Sequence, residues 1–356
     1  MVSLENPPLS PEATLRDAVG AIEATHRRLA VVAEADGTLL GTVTDGDIRR
    51  GLLRGLTLED GVSGIMNRTP TTAHIDSDRT YLLELLVNRR LESLPLVDSQ
   101  GRYRAVISRY DLGHLPEGRP ERQESGIALA VIMAGGEGQR LRPMTETLPK
   151  PMVDIGGMPL IERIVRTLID AGVPRISIAV NYLRHVIQQH FGDGSALGGR
   201  IDYLQEESKL GTAGALSLLT DVPDGPILVM NGDVLTRFDC NALQRFHAEH
   251  GAAITVAGME YRVDIPYGVI QSSGAQVTGL AEKPSQRFLC NAGIYMLDPS
   301  LLAEIPSDTR FDMTDLIARC LAGGQPVCLF PLHEYWADIG TPDDLAKARR
   351  ALLKLE

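Results

Sequence analysis

The stretch "VIMAGGEGQRLRPMTETLPKPM", residues 131–152, decides the fold. An apolar run stops abruptly at Gly135 and Gly136, turns again at Gly138, and becomes basic at Arg140, Arg142 and Lys150. A buried strand that ends in a glycine-rich turn lets the backbone approach a ligand closely, because no Cβ stands in the way. Basic residues just beyond it suit a phosphate. Known phosphate loops narrow the choice. A P-loop needs GxxxxGK[ST], which the chain lacks, and a dinucleotide fingerprint needs a third glycine that does not follow Gly136 and Gly138 at the right place. What remains is GG-x-G-x-R-L-x-P with a PKP downstream, and Gln139 wedged between Gly138 and Arg140.

The sequence around this stretch alternates strand and helix signals. "IALAVIMA" (127–134) reads as a buried strand and "PLIERIVRTLIDAG" (159–172) as a helix with one apolar face ending at Gly172. Then come "RISIAVNY", "HVIQQHF", "RIDYLQE", "GTAGALSLL", "PILVMNGD" and "CNALQRFHAEHG" in strand–helix alternation. Repeated βα units predict an α/β fold with a mostly parallel, Rossmann-like sheet covered by helices on both faces. Ligands then bind beyond the carboxyl ends of the strands, where both "MAGGEGQR" and "MNGD" lie.

The N-terminal third contains an internal repeat. "TLRDAVGAIEATHRRLAVVAEADGTLLGTVTDGDI" and "TYLLELLVNRRLESLPLVDSQGRYRAVISRYDL" each begin with an amphipathic helix signal. Each continues with a strand ("LAVV", "LPLV"), a glycine turn at Gly37 or Gly101, and a second strand ending in a hydroxyl and an aspartate three residues apart: Thr44 and Asp47, Ser108 and Asp111. Thr and Asp at this spacing also make good helix N-caps, so capping and ligand binding both remain open. The polar stretch "GHLPEGRPERQESG" follows. The expected organisation is an α+β module over 1–114 (repeats about 8–58 and 62–114), a linker over 115–126, and a larger domain over 127–356.

Beyond the opening loop, "NGDV", "PYGVI" (266–270), "LAEKP" (280–284), "NAGIYML" (291–297) and "EYWADIGTPDDL" (334–345) follow in order. This series resembles the nucleotide-sugar pyrophosphorylases, the sugar-1-phosphate nucleotidyltransferases. Such enzymes join a sugar 1-phosphate to a nucleoside triphosphate and release pyrophosphate. The nucleophile is a phosphate oxygen already ionised near neutral pH, since the second pKa of such a group is ~6. No general base is required, only positioning and charge neutralisation. The glycine backbone at Gly135, Gly136 and Gly138 can cradle the triphosphate, with Ala134 and Gln139 beside it. The resemblance implies that Arg140 and Lys150 neutralise the leaving pyrophosphate and that Lys283 holds the sugar phosphate. It implies Asp233 and Asp338 as ligands of Mg²⁺, an ion that favours hard oxygen donors. It implies Gly268, Glu282 and Asn291 at the sugar, with Trp336 either walling that pocket or filling the core. The family most often has Thr or Ser where this chain has Gln139.

The resemblance implies that the base faces Gln205 or Glu206, with Gly211 and Thr212 beside it. A carboxylate there could accept the N1 and N2 protons of guanine, which uracil and thymine lack. "LGTAGAL" resembles guanylyltransferase members, so GTP is the expected nucleotide. CBS modules fused ahead of this motif series resemble a subgroup of the family that uses glucosamine 1-phosphate, so that sugar is the one implied, with mannose and heptose 1-phosphates as alternatives. The N-terminal repeats resemble a tandem CBS module over roughly 8–114, though Ala105 stands where that family usually has glycine. This implies an adenine or guanine nucleotide effector held by Thr44, Asp47, Ser108 and Asp111.

Bulk properties set limits. The chain has 356 residues, is 44% apolar, and carries a formal net charge of −11. That balance excludes a general nucleic-acid binder. Its four cysteines form no CxxC pair, no uncharged apolar run reaches the ~18 residues of a membrane span, and the first residues lack a signal-peptide pattern. A cytoplasmic enzyme without membrane or nucleic-acid partners is expected, and a homo-oligomer, since CBS modules commonly associate. A rival reading is a nucleotide sensor whose transferase half has lost activity; the presence of Arg140, Lys150, Asp233, Lys283 and Asp338 speaks against it. His247 and His250 sit at metal-like spacing on an amphipathic helix without acidic or thiol partners, and read as core and surface contacts.

Overall fold

The computed structural model describes residues 7–25, 28–89, 91–108, 111 and 125–355. The expected linker lies outside the described residues except for 125 and 126, as do the first six residues of the chain. The chain divides into two compact units, Met1–Glu121 and Arg122–Glu356.

The first unit runs α1 (Leu15–Thr25), β1 (Leu29–Ala33), β2 (Leu39–Thr44), α2 (Asp45–Leu53), β3 (Ala73–His74), α3 (Arg79–Asn88), β4 (Ser93–Val97) and β5 (Tyr103–Ser108). β1 and β2 form an antiparallel hairpin, and Leu9 bridges Val32 in parallel. β4 and β5 form the matching hairpin, and β3 lies parallel to β4. The repeat read from the sequence is thus a repeat of structure. Leu15, Ala18, Val32, Val43 and Ile48 build the first core, and Val62, Ile65 and Met66 complete it. The segment that opens the second repeat therefore finishes the core of the first. A Cβ on Gly41, the counterpart of Ala105, would lie 2.6 Å from the Asn67 carbonyl oxygen; Ala105 itself is buried.

The second unit continues with β6 (Leu129–Met133), α4 (Leu160–Asp170), β7 (Ile176–Val180), α5 (Arg184–Phe191), β8 (Ile201–Gln205), α6 (Gly211–Gly214) and β9 (Ile227–Asn231). Then come β10 (Val234–Thr236), α7 (Cys240–Glu249), β11 (Ile254–Asp264), β12 (Val269–Ser273), β13 (Gln276–Ala281), β14 (Ser285–Leu297), α8 (Met313–Ala322), β15 (Val327–Leu332), β16 (Trp336–Asp338) and α9 (Pro342–Leu355). Its main sheet has seven strands in the order β15-β11-β14-β9-β6-β7-β8. Only β14 runs against its neighbours. The fold is the mostly parallel α/β sheet expected, with one apolar core on each face of it.

Strand order reverses beside β6: the chain first builds outward through β7 and β8, then returns to place β9 on the other side. This is the topological switch point, where the diverging loops leave a crevice. The predicted helix over "GTAGALSLL" is only α6 followed by a 3-10 turn. The backbone N–H groups of Ala213 and Gly214 donate to the Phe311 carbonyl, which fixes this segment against the start of α8 instead of letting it extend. The last helix is not peripheral: Leu345, Ala348 and Leu352 of α9 pack with Leu141, Val153 and Ile155 below the glycine loop.

Candidate active site

The glycine loop leaves β6 at the switch point. The Ala134 N–H donates to the Ala179 carbonyl at 2.9 Å, so the loop starts pinned to β7. A Cβ on Gly135 would lie 2.8 Å from Glu206 Oε1, and one on Gly138 would lie 2.8 Å from Lys150 Cβ. Gly138 also has a φ of 61°, the left-handed region where a side chain is strained. Both positions need glycine because neighbouring protein side chains approach them closely. Short 3-10 turns follow, and Thr145 Oγ1 donates to the Gly138 carbonyl at 2.8 Å, folding the basic segment back under the loop.

That fold-back delivers Lys150 to the carboxylates. Its Nζ donates to Asp233 Oδ2 at 2.5 Å and lies 3.6 Å from Asp338 Oδ1. Asp233 follows β9; the N–H of Gly232 donates to the Met133 carbonyl at 2.9 Å, tying the two strand ends together. Asp338 closes β16, which pairs antiparallel with β10 so that Val234 faces Asp338. The Ile339 N–H donates to the Asp233 carbonyl. Residues more than a hundred positions apart thereby meet. Arg140 lays its guanidinium against the backbone of Gly340. Burial raises the Asp338 pKa, Asp233 raises it further, and Lys150 and Arg140 oppose the shift.

Two carboxylates that share one ammonium nitrogen are aimed at a common point. They offer hard oxygen donors on a half-buried wall, which fits a divalent cation such as Mg²⁺. Together with Arg140 the cluster carries two positive and two negative groups, so an arriving triphosphate can be balanced by the cations while the carboxylates take a metal.

Glu206 is buried, and burial raises its pKa; one carboxylate oxygen accepts the Leu210 N–H at 3.0 Å and the other faces Gly135. Gln205, by contrast, points to solvent. Thr212 is occupied by the fold: its N–H donates to Asp312 Oδ1 and its hydroxyl accepts the Met313 N–H. Gly211 has a φ of 84°, and a Cβ there would clash with Asp312 and Phe311. Gln139 donates its amide to Glu137 Oε2 at 2.8 Å, while Lys209 Nζ reaches Glu137 Oε1 at 2.5 Å. These contacts lower the Glu137 pKa, the Lys209 bond foremost. Glu137 and Lys209 link the glycine loop to the segment around Glu206, a link that sequence reading missed because the partners lie far apart in the chain.

The residues expected at the sugar fall into separate groups. A Cβ on Gly268 would lie 2.9 Å from Glu282 Oε2, so these two adjoin. Lys283 is exposed with a φ of 45°, and its side chain makes no hydrogen bond or ion pair among the described residues. Asn291 donates its amide to Tyr295 Oη at 2.8 Å and accepts the Gly293 N–H. Trp336 Nε1 donates to the Ala292 carbonyl at 2.9 Å and its ring packs on the core, so it holds the strand that carries Asn291. Asn231 lies over Gly293, where a Cβ would come within 2.5 Å of its Nδ2. Asn231 and the buried Tyr295 support this part of β14 and were not anticipated; Asn231 could have been found as the residue before Gly232-Asp233 at a strand's end.

In the first unit, Asp47 Oδ2 accepts both the N–H of Thr44 at 2.9 Å and its hydroxyl at 2.6 Å, and Oδ1 accepts Arg50. Asp111 repeats the pattern with Ser108 at 2.7 and 2.8 Å. The same hydrogen-bond pattern is therefore formed in both repeats. His247 is buried against Thr255 and His250 is stacked on Phe246, so the pair forms no metal site.

A switch-point crevice, a glycine loop and a paired cation–carboxylate cluster define a nucleotide-handling α/β protein. The family model "Nucleotidyl transferase" matches residues 129–354, and "CBS domain" matches 3–54 and 62–115. The chain belongs to the nucleotidyl transferase family and carries tandem CBS domains ahead of the transferase domain. It is 36% identical over 236 residues to "Probable mannose-1-phosphate guanylyltransferase 1" of Oryza sativa subsp. japonica, a match covering 63% of this chain and 64% of that protein. It is 30% identical over 233 residues to "Mannose-1-phosphate guanylyltransferase" of Mycobacterium tuberculosis, with the same coverage. The chain thus spans just under two thirds of the length of these relatives. Among solved structures, a putative glucose-1-phosphate thymidylyltransferase from Bacillus anthracis shares the fold, with a TM-score of 0.52, 24% identity, and coverage of 63% of this chain and 95% of that one.

Proposed function

We propose that the protein is a sugar-1-phosphate guanylyltransferase. The observation that carries this reading is the convergence of Arg140, Lys150, Asp233 and Asp338 at the switch point, beneath a glycine loop. A sugar 1-phosphate oxygen attacks the α-phosphorus of the nucleoside triphosphate. The new O–P bond forms as the bond from that phosphorus to the bridging oxygen breaks, and pyrophosphate leaves. Arg140 and Lys150 balance the charge that builds on the leaving group. Asp233 and Asp338 would hold a divalent cation such as Mg²⁺, which would supply positive charge to offset repulsion between the two anions. Lys283, exposed and without a side-chain hydrogen bond or ion pair among the described residues, takes the sugar phosphate, while Gly268, Glu282 and Asn291 meet the sugar.

GTP is the proposed nucleotide, read through Glu206 with Gln205, Gly211 and Thr212 alongside. Glucosamine 1-phosphate is the proposed sugar; the relatives named as mannose-1-phosphate guanylyltransferases favour mannose 1-phosphate as the second reading. At the CBS domains, Thr44 with Asp47 and Ser108 with Asp111 hold an adenine or guanine nucleotide that regulates the enzyme. The four free cysteines suit the cytoplasm, and a homo-oligomer is proposed. No helix among the described residues is long and apolar enough to cross a membrane.

The test is a panel of nucleoside triphosphates and glucosamine, mannose and heptose 1-phosphates with Mg²⁺, run with and without AMP, ADP and ATP. Pyrophosphate release with GTP and one of these sugars is expected. No release with any pair would overturn the reading and favour the nucleotide sensor.

A further inference from the structure

Beyond Gly258, β11 and β14 leave the main sheet as a two-stranded ribbon. β15 pairs with β11 only from Ile254 to Met259, and β9 pairs with β14 only from Ile294 to Leu297. No strand pairs with either outer edge of the ribbon among the described residues. Residues directly opposite in an antiparallel ladder share a face. The register pairs Tyr261 with Phe288 and Val263 with Gln286, while Arg262 faces Arg287 and Glu260 faces Leu289. One face of the ribbon is thus largely apolar and the other largely charged. Both are in solvent: Tyr261 is 55% exposed and Phe288 49%. The β12–β13 hairpin, inserted at the ribbon's tip, also presents apolar side chains to solvent. Ile270 pairs with Leu280, and Val277 with Ser272 on the same face; Ile270 and Leu280 are 63% and 68% exposed.

An amphipathic ribbon with bare edges and a wet apolar face is incomplete by itself. We infer that this ribbon and hairpin form the interface between two copies of the chain. Its charge points to a second copy. The whole chain carries −11, so two copies repel over most of their surface. Within the ribbon and hairpin, Glu260, Asp264 and Glu282 are matched by Arg262, Lys283 and Arg287, leaving no net charge to oppose contact. Arg262 is paired with Asp264 and Arg287 with Glu260 within the chain, so self-pairing about a two-fold axis joins the ribbons without leaving these charges unbalanced. The area also suffices. A covered aromatic side chain buries ~150–250 Å². Counting only their exposed fractions, Tyr261, Tyr267 and Phe288, with Val263, Ile270, Val277 and Leu280, approach the ~800 Å² that each partner gives a standard interface. Gly268 and Glu282 stand at the base of the same hairpin, so pairing of the ribbons also encloses part of the proposed sugar site. The interface itself rests on surface geometry alone, and a chain without transferase activity would still associate.

The experiment is light scattering after gel filtration on the full chain, across a dilution series from micromolar to nanomolar. The wild type is compared with the double variant Tyr261→Lys/Phe288→Glu, in which the new cross-strand ion pair preserves the ribbon while its face turns polar. Leu321→Lys, on the exposed side of α8, is the control. The expected result is an even-numbered wild-type assembly, its mass halved in the double variant, with self-association weakened by roughly thirtyfold or more and the control unchanged. Hydrogen exchange on the wild type gives a reading free of any variant: amides 260–264 and 285–289 lose protection on dilution. A wild type that is monomeric at micromolar concentration, a double variant with unchanged mass, or ribbon amides indifferent to dilution would each overturn the inference.

Discussion

Lys150 Nζ bonds Asp233 Oδ2 at 2.5 Å and stands 3.6 Å from Asp338 Oδ1, so one ammonium bridges the carboxylates that β9 and β16 deliver from distant parts of the chain. The bridge neutralises two acids that would otherwise repel across a half-buried site. Lys150→Met removes that charge from both the resting cluster and the leaving pyrophosphate. Loss of one preorganised cationic donor costs ~100–1,000-fold in turnover. Pyrophosphate release is expected to fall by that factor, with an unchanged far-UV circular dichroism spectrum. Asp233→Ala is expected to abolish turnover with the fold intact; near-normal activity in that variant removes Asp233 from the metal site.

Gly138 answers to two constraints at once, a φ of 61° and a Cβ position 2.8 Å from Lys150 Cβ. Gly138→Ala therefore strains the backbone by ~1–2 kcal/mol and pushes Lys150 away from the carboxylates. The expected outcome is a lower melting temperature together with a loss of turnover approaching that of Lys150→Met. Gly136 has no atom within 4 Å of its Cβ position. Gly136→Ala should leave the melting temperature unchanged, and an equal drop in both variants contradicts the argument.

Gln139 stands where a small hydroxyl is usual, yet its amide is turned away to Glu137, in solvent, and bears on Lys209 through that carboxylate. Gln139→Thr removes one donor to Glu137 and leaves the stronger Lys209 bond in place. The KM for GTP is expected to change by no more than about threefold, which is ~0.6 kcal/mol and within the range of one exposed hydrogen bond. A tenfold rise would mean that the amide reaches the nucleotide.

Thr44 caps α2 with a reciprocal pair of bonds to Asp47. Removing such a cap costs ~1 kcal/mol, so Thr44→Ala should lower the unfolding temperature of the first unit in the absence of any nucleotide. Calorimetry with AMP, ADP and ATP on the same variant separates the roles. Unaltered nucleotide affinity beside lost stability leaves Thr44 as a cap alone.

The parts of this protein legible in the sequence are those that obey local periodicity. β6, α4, β7 and β9 have near-continuous apolar runs or a one-sided apolar helix face, and the repeat announces itself through Gly37 and Gly101. The glycine loop and the aspartate of "NGD" were readable because strand ends in such sheets face the ligand crevice. What escaped depends on contacts between remote residues. Nothing near Glu137 in sequence signals Lys209, and the pairing of β10 with β16 that joins Asp233 to Asp338 is a ladder of three residues per strand. The long β11–β14 ribbon was also missed. Its alternation of apolar and charged residues is clear only in retrospect, because strands of that length are unusual and its apolar face covers no core.

Glu206 supplies a test through pH. Burial raises its carboxyl above the ordinary value of 4.5, against the opposing bond from the Leu210 N–H. The folded state therefore binds its proton more tightly than the unfolded chain does. For a group shifted upward, the favourable contribution is fully present below the unfolded pKa and is lost as pH rises through the folded value. Charging Glu206 in its buried place as pH rises comes at a cost to stability. Glu206→Gln keeps an oxygen to accept the Leu210 N–H and removes the charge. The variant's melting temperature relative to wild type should rise as pH is taken from 4 to 7.5. A constant difference would mean that Glu206 is solvated in solution. If the same carboxylate reads guanine, Glu206→Gln should also weaken the preference for GTP over UTP in pyrophosphate release. A stability gain with an unaltered nucleotide preference would leave Glu206 as a support for the glycine loop and assign base recognition to the neighbouring backbone.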